Sequence, residues 1–309
     1  MAVLLERALR FASLPFRSRP ISSYSDGRCD VIIGCFTAYE FDRIRLWVNS
    51  LDRSGFSGQK LVLCGEAEPA TLRELERRNY HVMRFEMNDK EDPYSIFRDR
   101  YFQTYNVLRR ICEEPYRFVI APDMKDVIFQ TNPSNWLEEN AGTAHLIAGS
   151  ECLTHESEDW AREMMLEMFG PQIYELIKEK IIYNAGTMAG RPRVFSQFCL
   201  QVFLMLGKKS QTPRSMGLYP DQAAANLLLH FTQFLDLTRF STAESGWTCT
   251  AGTMADPRII SKYRPKLTEP EPRLNDFQVV TSLGIPYCLV HQYDRVPSWL
   301  DRLKQRYWE

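Results

Sequence analysis

The sequence predicts an α/β fold in which helices flank a mostly parallel central sheet. The first 130 residues alternate short apolar runs, typical of buried strands, with longer amphipathic runs, typical of helices. This alternation indicates parallel strands joined by helical crossovers. The chain has 309 residues, of which 44% are hydrophobic, and is therefore long enough to bury a sizeable core.

The elements of the first half follow from these runs in order. Strands are predicted at 29–36, 60–64, 81–85 and 117–121, and helices at 41–51, 72–79 and 96–112. Thr71, followed three residues later by Glu74, predicts a capping box at the start of the second helix. A further short apolar run at 127–129 follows the fourth strand.

The second half is less regular. Strands are predicted at 145–150, 181–190, 247–253 and 287–290, and helices at 159–169, 171–180, 194–206, 221–230 and 298–307. Gly170-Pro171 predicts a break between two of these helices, and Asp221, after Pro220, is placed to cap another. Because no clear linker separates the halves, residues 29–309 are predicted to form one domain.

Composition excludes several classes of function. The net charge is −1 and the sequence pI about 6.6, which is no electrostatic footprint for nucleic acid. The eight cysteines form no C-x-x-C pair, so we expect reduced, buried thiols. No run approaches the roughly 18 apolar residues of a membrane span, so no transmembrane segment is predicted.

Residues 1–28 form a predicted N-terminal extension with a distinct composition. They carry five arginines, five serines and only two acids, and residues 1–16 are compatible with a short amphipathic helix. An organelle transit peptide, a weak membrane-surface contact and an ordinary extension all fit this pattern. Because the segment lacks an apolar h-region, secretion is disfavoured, and a cytoplasmic protein is predicted with organelle targeting as the alternative.

The segment 116–133 is the most informative part of the chain. Its buried strand runs directly into Asp123 and Asp126. A carboxylate shielded from water is costly unless a positive group neutralises it, so the pair predicts a divalent cation site that faces a diphosphate. A loop of surface acids, assisted by Lys125, is the alternative interpretation of the same residues.

Polar groups follow apolar segments at other places. They are Thr37 to Tyr39 after the first strand, Asn184-Ala185-Gly186, Asp221-Gln222 and His291. The last three also have a structural interpretation, since Asn-Ala-Gly suits a tight turn, an aspartate can cap a helix, and a histidine can end a strand. Neither G-x-G-x-x-G after the first strand nor G-x-x-x-x-G-K-[ST] occurs, which disfavours dinucleotide and P-loop binding.

The order of these motifs resembles a known family. D-x-x-D, then N-A-G, then D-Q-A-A-x-N, then a late strand that ends in histidine is similar to the nucleotide-sugar-dependent glycosyltransferases of GT-A fold. The resemblance spans about residues 30–295 and is closest to the retaining, family-8-like group. That group has D-x-D where this chain has D-x-x-D. The resemblance implies a nucleotide-binding half at 29–132, an acceptor half at 133–297 and a C-terminal helix at 298–309.

The resemblance also implies roles for individual residues. Asp123, Asp126 and His291 would hold Mn²⁺ or Mg²⁺ against the diphosphate of the donor, a ligand set that suits Mn²⁺. Asn184 and Gly186 would face the donor sugar and the acceptor. Asp221 would bind sugar hydroxyls, and Gln222 would lie near the anomeric carbon. Nucleotide contacts would come from Thr37, Tyr39, an arginine of the long helix (Arg98 or Arg100), and Arg295 in place of a family lysine.

The predicted function is therefore metal-dependent transfer of a hexosyl or pentosyl group from a nucleotide diphosphate sugar to the hydroxyl of a carbohydrate or other acceptor. Retention of configuration is expected from the resemblance. An inverting enzyme would instead need a general base such as Glu151, Glu156 or Asp221. Two other functions fit the same fold: a sugar nucleotidyltransferase, and a non-catalytic carbohydrate-binding protein.

Overall fold

The computed structural model describes residues 29–89, 91–111, 116–214 and 216–309. The predicted extension 1–28, with its targeting and membrane-surface alternatives, lies outside the described residues. The strands of the described part are β1 (Cys29–Phe36), β2 (Gln59–Cys64), β3 (His81–Arg84), β4 (Tyr116–Pro122), β5 (Val127–Phe129), β6 (Leu146–Thr154), β7 (Ile181–Tyr183), β8 (Thr187–Gly190), β9 (Thr238–Ser241), β10 (Thr248–Thr250), β11 (Arg273–Asn275), β12 (Gln278–Val280) and β13 (Leu289–His291).

The helices lie between these strands in the predicted alternation. They are α1 (Phe41–Arg53), α2 (Pro69–Arg77), α3 (Ile96–Ile111), α4 (Pro133–Asn140), α5 (Asp159–Ile177), α6 (Pro192–Met205), α7 (Asp221–Phe231), α8 (Ala251–Met254), α9 (Ile260–Tyr263) and α10 (Pro297–Tyr307). Among the described helices, none is long and apolar enough to cross a membrane.

The main sheet is mixed, with parallel strands at its centre. In the described residues it has eight strands in the order β3-β2-β1-β4-β8-β6-β7, and β9 pairs with β6. The strands β3, β2, β1 and β4 are parallel, as the alternation of strands and helices predicts. Beyond β4 the direction changes, because β8 is antiparallel to both β4 and β6.

Strand β1 shows why its sequence is a continuous apolar run. Val31 and Ile33 pack with Leu108 of α3 on one face of the sheet, and Ile32 packs with Trp47 of α1 on the other. A strand covered by helices on both faces buries every side chain, so alternation of polar and apolar residues is lost. The predicted fold class, an α/β sheet flanked by helices, is confirmed at this level.

A second, three-stranded sheet joins distant parts of the chain. Its order is β10-β13-β5, and β13 is antiparallel to β5 with His291 opposite Val127. The backbone N–H of Gln292 donates to the carbonyl oxygen of Asp126 over 2.7 Å, which extends this pairing by one step. The late strand therefore delivers His291 beside the aspartates that follow β4.

Three local predictions are wrong, each because other contacts decide the structure. The second helix begins at Pro69 and has no side-chain cap, so Thr71 lies inside it and is buried. The predicted strand 247–253 pairs with β13 only as far as Thr250, and a helix begins at Ala251. Asp221 is the first residue of α7 rather than its cap, and its side chain accepts from Arg100 and from the adjacent backbone N–H of Gln222.

Candidate metal and ligand-binding site

A cavity of about 290 Å³ opens at the edge of the main sheet where β1 and β4 end. These strands are parallel, so the segments that follow them meet at the same edge. Helix α3, the segment after β13 and the start of α7 also border the cavity. The predicted site residues that line it are Thr37, Tyr39, Arg100, Asp123, Asp126, Gly186, Asp221, Gln222, His291 and Arg295. The remaining one, Asn184, is buried next to the cavity wall.

Asp123, Asp126 and His291 form a group able to hold a metal ion. One candidate ligand atom from each residue lies within 4.8 Å of those of the other two. The Nε2 atom of His291 lies 3.6 Å from Asp123 Oδ2 and 3.6 Å from Asp126 Oδ1. Both aspartates lie in the turn between β4 and β5, and the pairing of β13 with β5 supplies the imidazole.

The imidazole and the carboxylates of this group stabilise each other's charged forms. Burial by itself lowers the pKa of His291, but the carboxylates of Asp126 and Asp123 outweigh it and raise that pKa. Burial raises the pKa of Asp126, but the neighbouring His291 outweighs it and lowers that pKa. Without a metal ion, a proton on the imidazole therefore supplies part of the positive charge that the carboxylates need.

The arrangement fits Mn²⁺ or Mg²⁺. Two carboxylates and one imidazole are donors that such an ion accepts, and the imidazole favours Mn²⁺ over Mg²⁺. Gly186 keeps the space around them open: a Cβ atom at this position would lie 2.4 Å from Asp123 Oδ2 and 3.1 Å from His291 Cε1. Any other residue at 186 would therefore push against two of the three candidate ligands.

Arg100 links the metal group to the start of α7. Its guanidinium donates hydrogen bonds to Asp123 on one side and to Asp221 on the other. Tyr101 adds a hydroxyl that donates to Asp221 Oδ2 over 3.3 Å. Burial raises the pKa of Asp221, and the positive charge of Arg100 opposes that rise. A fixed cation thus lies between the candidate metal ligand Asp123 and the buried carboxylate of Asp221.

The structure distinguishes the two arginines that the sequence left open. Arg98 forms an ion pair with Asp99 at 3.1 Å, and its guanidinium carbon lies 4.9 Å from the centre of the Tyr219 ring. Of the residues that the structure describes, Arg100 lines the cavity and Arg98 does not. Arg100 is therefore the arginine of the long helix that reaches the cavity.

Asn184 and Gly186 form the turn between β7 and β8 beside the aspartates. The Oδ1 atom of Asn184 accepts a hydrogen bond from the backbone N–H of Gly186 over 2.8 Å. The carbonyl oxygen of Gly186 accepts from the backbone N–H of Asp123 over 2.9 Å. Asn184 is 1% exposed, and its side chain bonds to protein groups rather than lining the cavity. Asn184 therefore influences the cavity by holding the backbone of Gly186, which lines it.

At the end of β1, an aromatic ring and a hydroxyl border the cavity. The ring of Tyr39 stacks on Phe36 with centroids 5.9 Å apart and an angle of 17° between the planes. The guanidinium carbon of Arg43 lies 4.5 Å from the centre of the Tyr39 ring. The hydroxyl of Thr37 accepts a hydrogen bond from the backbone N–H of Glu66 over 3.1 Å. This edge offers a flat ring held in a fixed orientation.

The rim after β13 is basic. Arg295 and Lys125 line the cavity, and their side chains are 47% and 41% exposed. Both point toward Asp294, at 3.9 Å for Arg295 and 3.4 Å for Lys125. Loose, half-exposed ion pairs of this kind contribute little to stability, so both cations remain available to an anionic ligand.

One buried acid of this region was only a weak candidate from the sequence. Glu151 was expected after a strand that ends at Ser150, but β6 continues to Thr154 and Glu151 lies within it. It is 4% exposed, and burial raises its pKa to about 7. The sequence feature that could have identified Glu151 is an acidic residue inside a mostly apolar strand. Trp160 at the start of α5 also lines the cavity.

No protein-family model matches this chain, and no curated protein is significantly similar to it in sequence.

Proposed function

We propose that the protein is a metal-dependent glycosyltransferase of GT-A type, which moves a sugar from a nucleotide diphosphate sugar to an acceptor hydroxyl. The observation that carries this proposal is the convergence of Asp123, Asp126 and His291 at the rim of a cavity large enough for a ligand. These residues come from separate parts of the chain and meet where a mostly parallel sheet ends. Ligands of open α/β sheets bind at this edge.

The diphosphate of the donor is assigned to the metal group and the basic rim. Asp123, Asp126 and His291 would hold the ion, and a bound divalent ion stabilises negative charge on a leaving diphosphate. Arg295 and Lys125 lie on the same side of the cavity, and their charges would balance phosphate oxygens. The flat ring of Tyr39 at the end of β1 suits stacking against a nucleotide base.

The sugar is assigned to the part of the cavity wall formed by Gly186 and the start of α7. Asp221 is held by Arg100 and Tyr101, so its carboxylate presents fixed acceptors to sugar hydroxyls. Gln222 follows it and lines the cavity, where its amide would lie near the anomeric carbon. Gly186 leaves room for close approach of the sugar to the backbone. We expect retention of configuration, which NMR of the anomeric product would establish.

Binding and turnover are tested together with a panel of nucleotide sugars. Each is added with and without Mn²⁺, and the melting temperature and the release of nucleoside diphosphate are measured. A donor should raise the melting temperature more in the presence of Mn²⁺ than in its absence, since a ligand of the native state stabilises it. Asp126→Asn should remove this difference, and the exposed Asp236→Asn should retain it.

The two alternative functions predict different results. A sugar nucleotidyltransferase would release no nucleoside diphosphate in this panel, but it would form pyrophosphate when given a nucleoside triphosphate and a sugar phosphate instead. A non-catalytic binding protein would show no Mn²⁺-dependent release of nucleoside diphosphate, and Asp126→Asn would leave its carbohydrate binding unchanged. Either result would replace the transferase proposal.

A further inference from the structure

Glu151 is a buried carboxyl group to which the proposed reaction assigns no task. It lies in the middle of β6 and is 4% exposed. The side-chain NH₂ group of Asn184 donates to its Oε1 atom over 2.6 Å. Because burying an acid costs free energy unless the acid is hydrogen-bonded, the bond to Asn184 is the contact that can explain an acid at this position.

The backbone of β6 is irregular where it carries this carboxyl group. Between the pairs that β6 forms with β7 at Ser150 and at Thr154, β6 has three residues whereas β7 has one, so β6 bulges. Within the bulge Cys152 has a φ of 60°, a left-handed conformation that residues other than glycine rarely adopt. A bulge re-aims the side chains beside it, and a strained residue persists only where the surrounding structure holds it. The irregular backbone accompanies the contact of Glu151 with Asn184.

The orientation of the Asn184 amide is fixed at both of its ends. Its Oδ1 atom accepts a hydrogen bond from the backbone N–H of Gly186 over 2.8 Å, and a backbone N–H only donates. The NH₂ group must therefore be at the other end of the amide, where Glu151 Oε1 accepts from it. The carboxyl group thus holds the amide in the orientation that binds Gly186.

Gly186 in turn constrains the candidate metal ligands. Its carbonyl oxygen accepts a hydrogen bond from the backbone N–H of Asp123 over 2.9 Å. Its Cα atom lies directly against two side chains, because a Cβ atom added to it would be 2.4 Å from Asp123 Oδ2 and 3.1 Å from His291 Cε1. A shift of the backbone at Gly186 would therefore displace Asp123 and change the space beside the imidazole of His291.

We propose that Glu151 is a positioning residue, which fixes the candidate ligand Asp123 through a chain of hydrogen bonds. The three bonds of this chain join the carboxylate to the Asn184 amide, that amide to the backbone of Gly186, and Gly186 to the backbone of Asp123. This inference rests on the proposed function, which makes Asp123 a metal ligand. Contacts behind the ligands of a metal ion hold them in the geometry that the ion requires, so losing one weakens metal binding.

Two variants separate the hydrogen bond of Glu151 from its charge. Glu151→Gln removes the charge but retains an oxygen that accepts from Asn184, whereas Glu151→Asp retains the charge on a side chain that is one methylene too short for this bond. The affinity for Mn²⁺, measured by isothermal titration, should fall about tenfold in Glu151→Asp and less than about threefold in Glu151→Gln. A residue that acted through its charge alone would give the opposite order, and that order would overturn the proposal.

A double-mutant cycle tests whether the effect of Glu151 passes through Asn184. Asn184→Ala breaks the same chain one step further on, so by itself it should also lower the affinity for Mn²⁺ about tenfold. When Glu151→Asp is added to Asn184→Ala, the affinity should change by less than about twofold, because the chain is already broken. Two losses that multiply in the double variant would overturn the proposal.

Asp30→Asn is the control for a loss of stability that has no connection with the metal group. Asp30 is a fully buried acid that accepts hydrogen bonds from Arg117 and from the backbone N–H of Phe118. It lies near the start of β1, whereas the cavity lies where β1 ends. Asp30→Asn should therefore lower the free energy of unfolding and leave the affinity for Mn²⁺ unchanged. A fall in Mn²⁺ affinity equal to that of Glu151→Asp would overturn the proposal.

A second measurement needs neither metal nor turnover, so it separates this inference from the proposed function. Hydrogen exchange of the Gly186 backbone N–H is followed by ¹H–¹⁵N NMR of the metal-free protein. Exchange should be about tenfold or more faster in Glu151→Asp than in the wild type and in Glu151→Gln, because the acceptor of this N–H is no longer held. Equal rates in all three proteins would overturn the positioning role. Wild-type protein that binds no Mn²⁺, or releases no nucleoside diphosphate, would overturn the proposed function, and the exchange rates would still decide the role of Glu151.

Discussion

The backbone N–H of Gln292 donates to the carbonyl oxygen of Asp126 over 2.7 Å. This hydrogen bond joins the end of β13 to the turn after β4, so the imidazole of His291 reaches the aspartates only when the chain is folded. A cation that binds the assembled group therefore binds the native state and not the unfolded chain. Metal binding should consequently raise the free energy of unfolding.

We predict that Mn²⁺ raises the free energy of unfolding of the wild-type protein. At a free concentration about 100 times its dissociation constant, the increase should be about 2.7 kcal/mol. Replacing His291 with Ala should abolish the increase, because one of the candidate ligands is lost. Urea denaturation with and without Mn²⁺ measures both values. An equal Mn²⁺ effect in the wild type and in His291→Ala would contradict the proposed ligand set.

The sequence predicted much of the framework because local patterns determine it. Strand β1 has the predicted bounds. Most other strands and helices of the first half lie where the change between apolar runs and amphipathic runs predicts them. The two candidate metal aspartates were also identified, because acids after a buried strand are expensive without a partner. These signals are short-range or depend on the composition of a single segment. His291 was expected as their partner only from the resemblance in the order of the motifs.

The remaining features depend on tertiary contacts that a sequence pattern does not record. Glu151 lies within β6 because that strand continues alongside β7, whereas the apolar run in the sequence stops at Ser150. Arg98 and Arg100 are two residues apart on α3, and only the packing of that helix decides which one faces the cavity. Side-chain direction on a helix changes by about 100° per residue, so spacing alone could not choose between them.

Gly186 provides a test of the space around the candidate ligands. Replacement with Ala would place a Cβ atom 2.4 Å from Asp123 Oδ2, so the aspartate must move and we expect Mn²⁺ affinity to fall about tenfold or more. Gly207→Ala is the matched control, because no heavy atom lies within 4 Å of a Cβ there. Isothermal titration with Mn²⁺ measures both variants. Equal affinities would show that Asp123 is not a ligand.

The bridge formed by Arg100 should be important for stability. Replacing Arg100 with Met leaves the buried carboxylate of Asp221 and the partly buried carboxylate of Asp123 without their cation, and breaking a buried pair such as that of Arg100 with Asp221 costs about 3–5 kcal/mol. The comparison is Arg45→Met, which breaks an exposed pair with Asp42 and should cost less than about 1 kcal/mol. Urea denaturation without metal gives both values. A cost for Arg100→Met as small as that for Arg45→Met would show that the bridge is not a stabilising contact.

We predict that the free energy of unfolding falls as the pH is lowered, and that the imidazole of His155 is one cause. Burial, together with the nearby His230, lowers the pKa of the His155 imidazole from 6.5 to about 3. Between these values the unfolded chain binds a proton that the native state refuses, so unfolding becomes easier as pH falls from about 6.5 to about 3. The contribution is at most about 1.4 kcal/mol per pH unit, and it is constant above pH 6.5.

The variant His155→Leu isolates this contribution from that of the carboxylates, which titrate in both proteins. The free energy of unfolding of the wild type and of the variant is measured by urea denaturation from about pH 8 to about pH 4. Their difference should be flat above about pH 6.5, and below it the wild type should lose stability more steeply than the variant. Parallel curves over the whole range would mean that His155 accepts a proton in the native state as readily as in the unfolded chain.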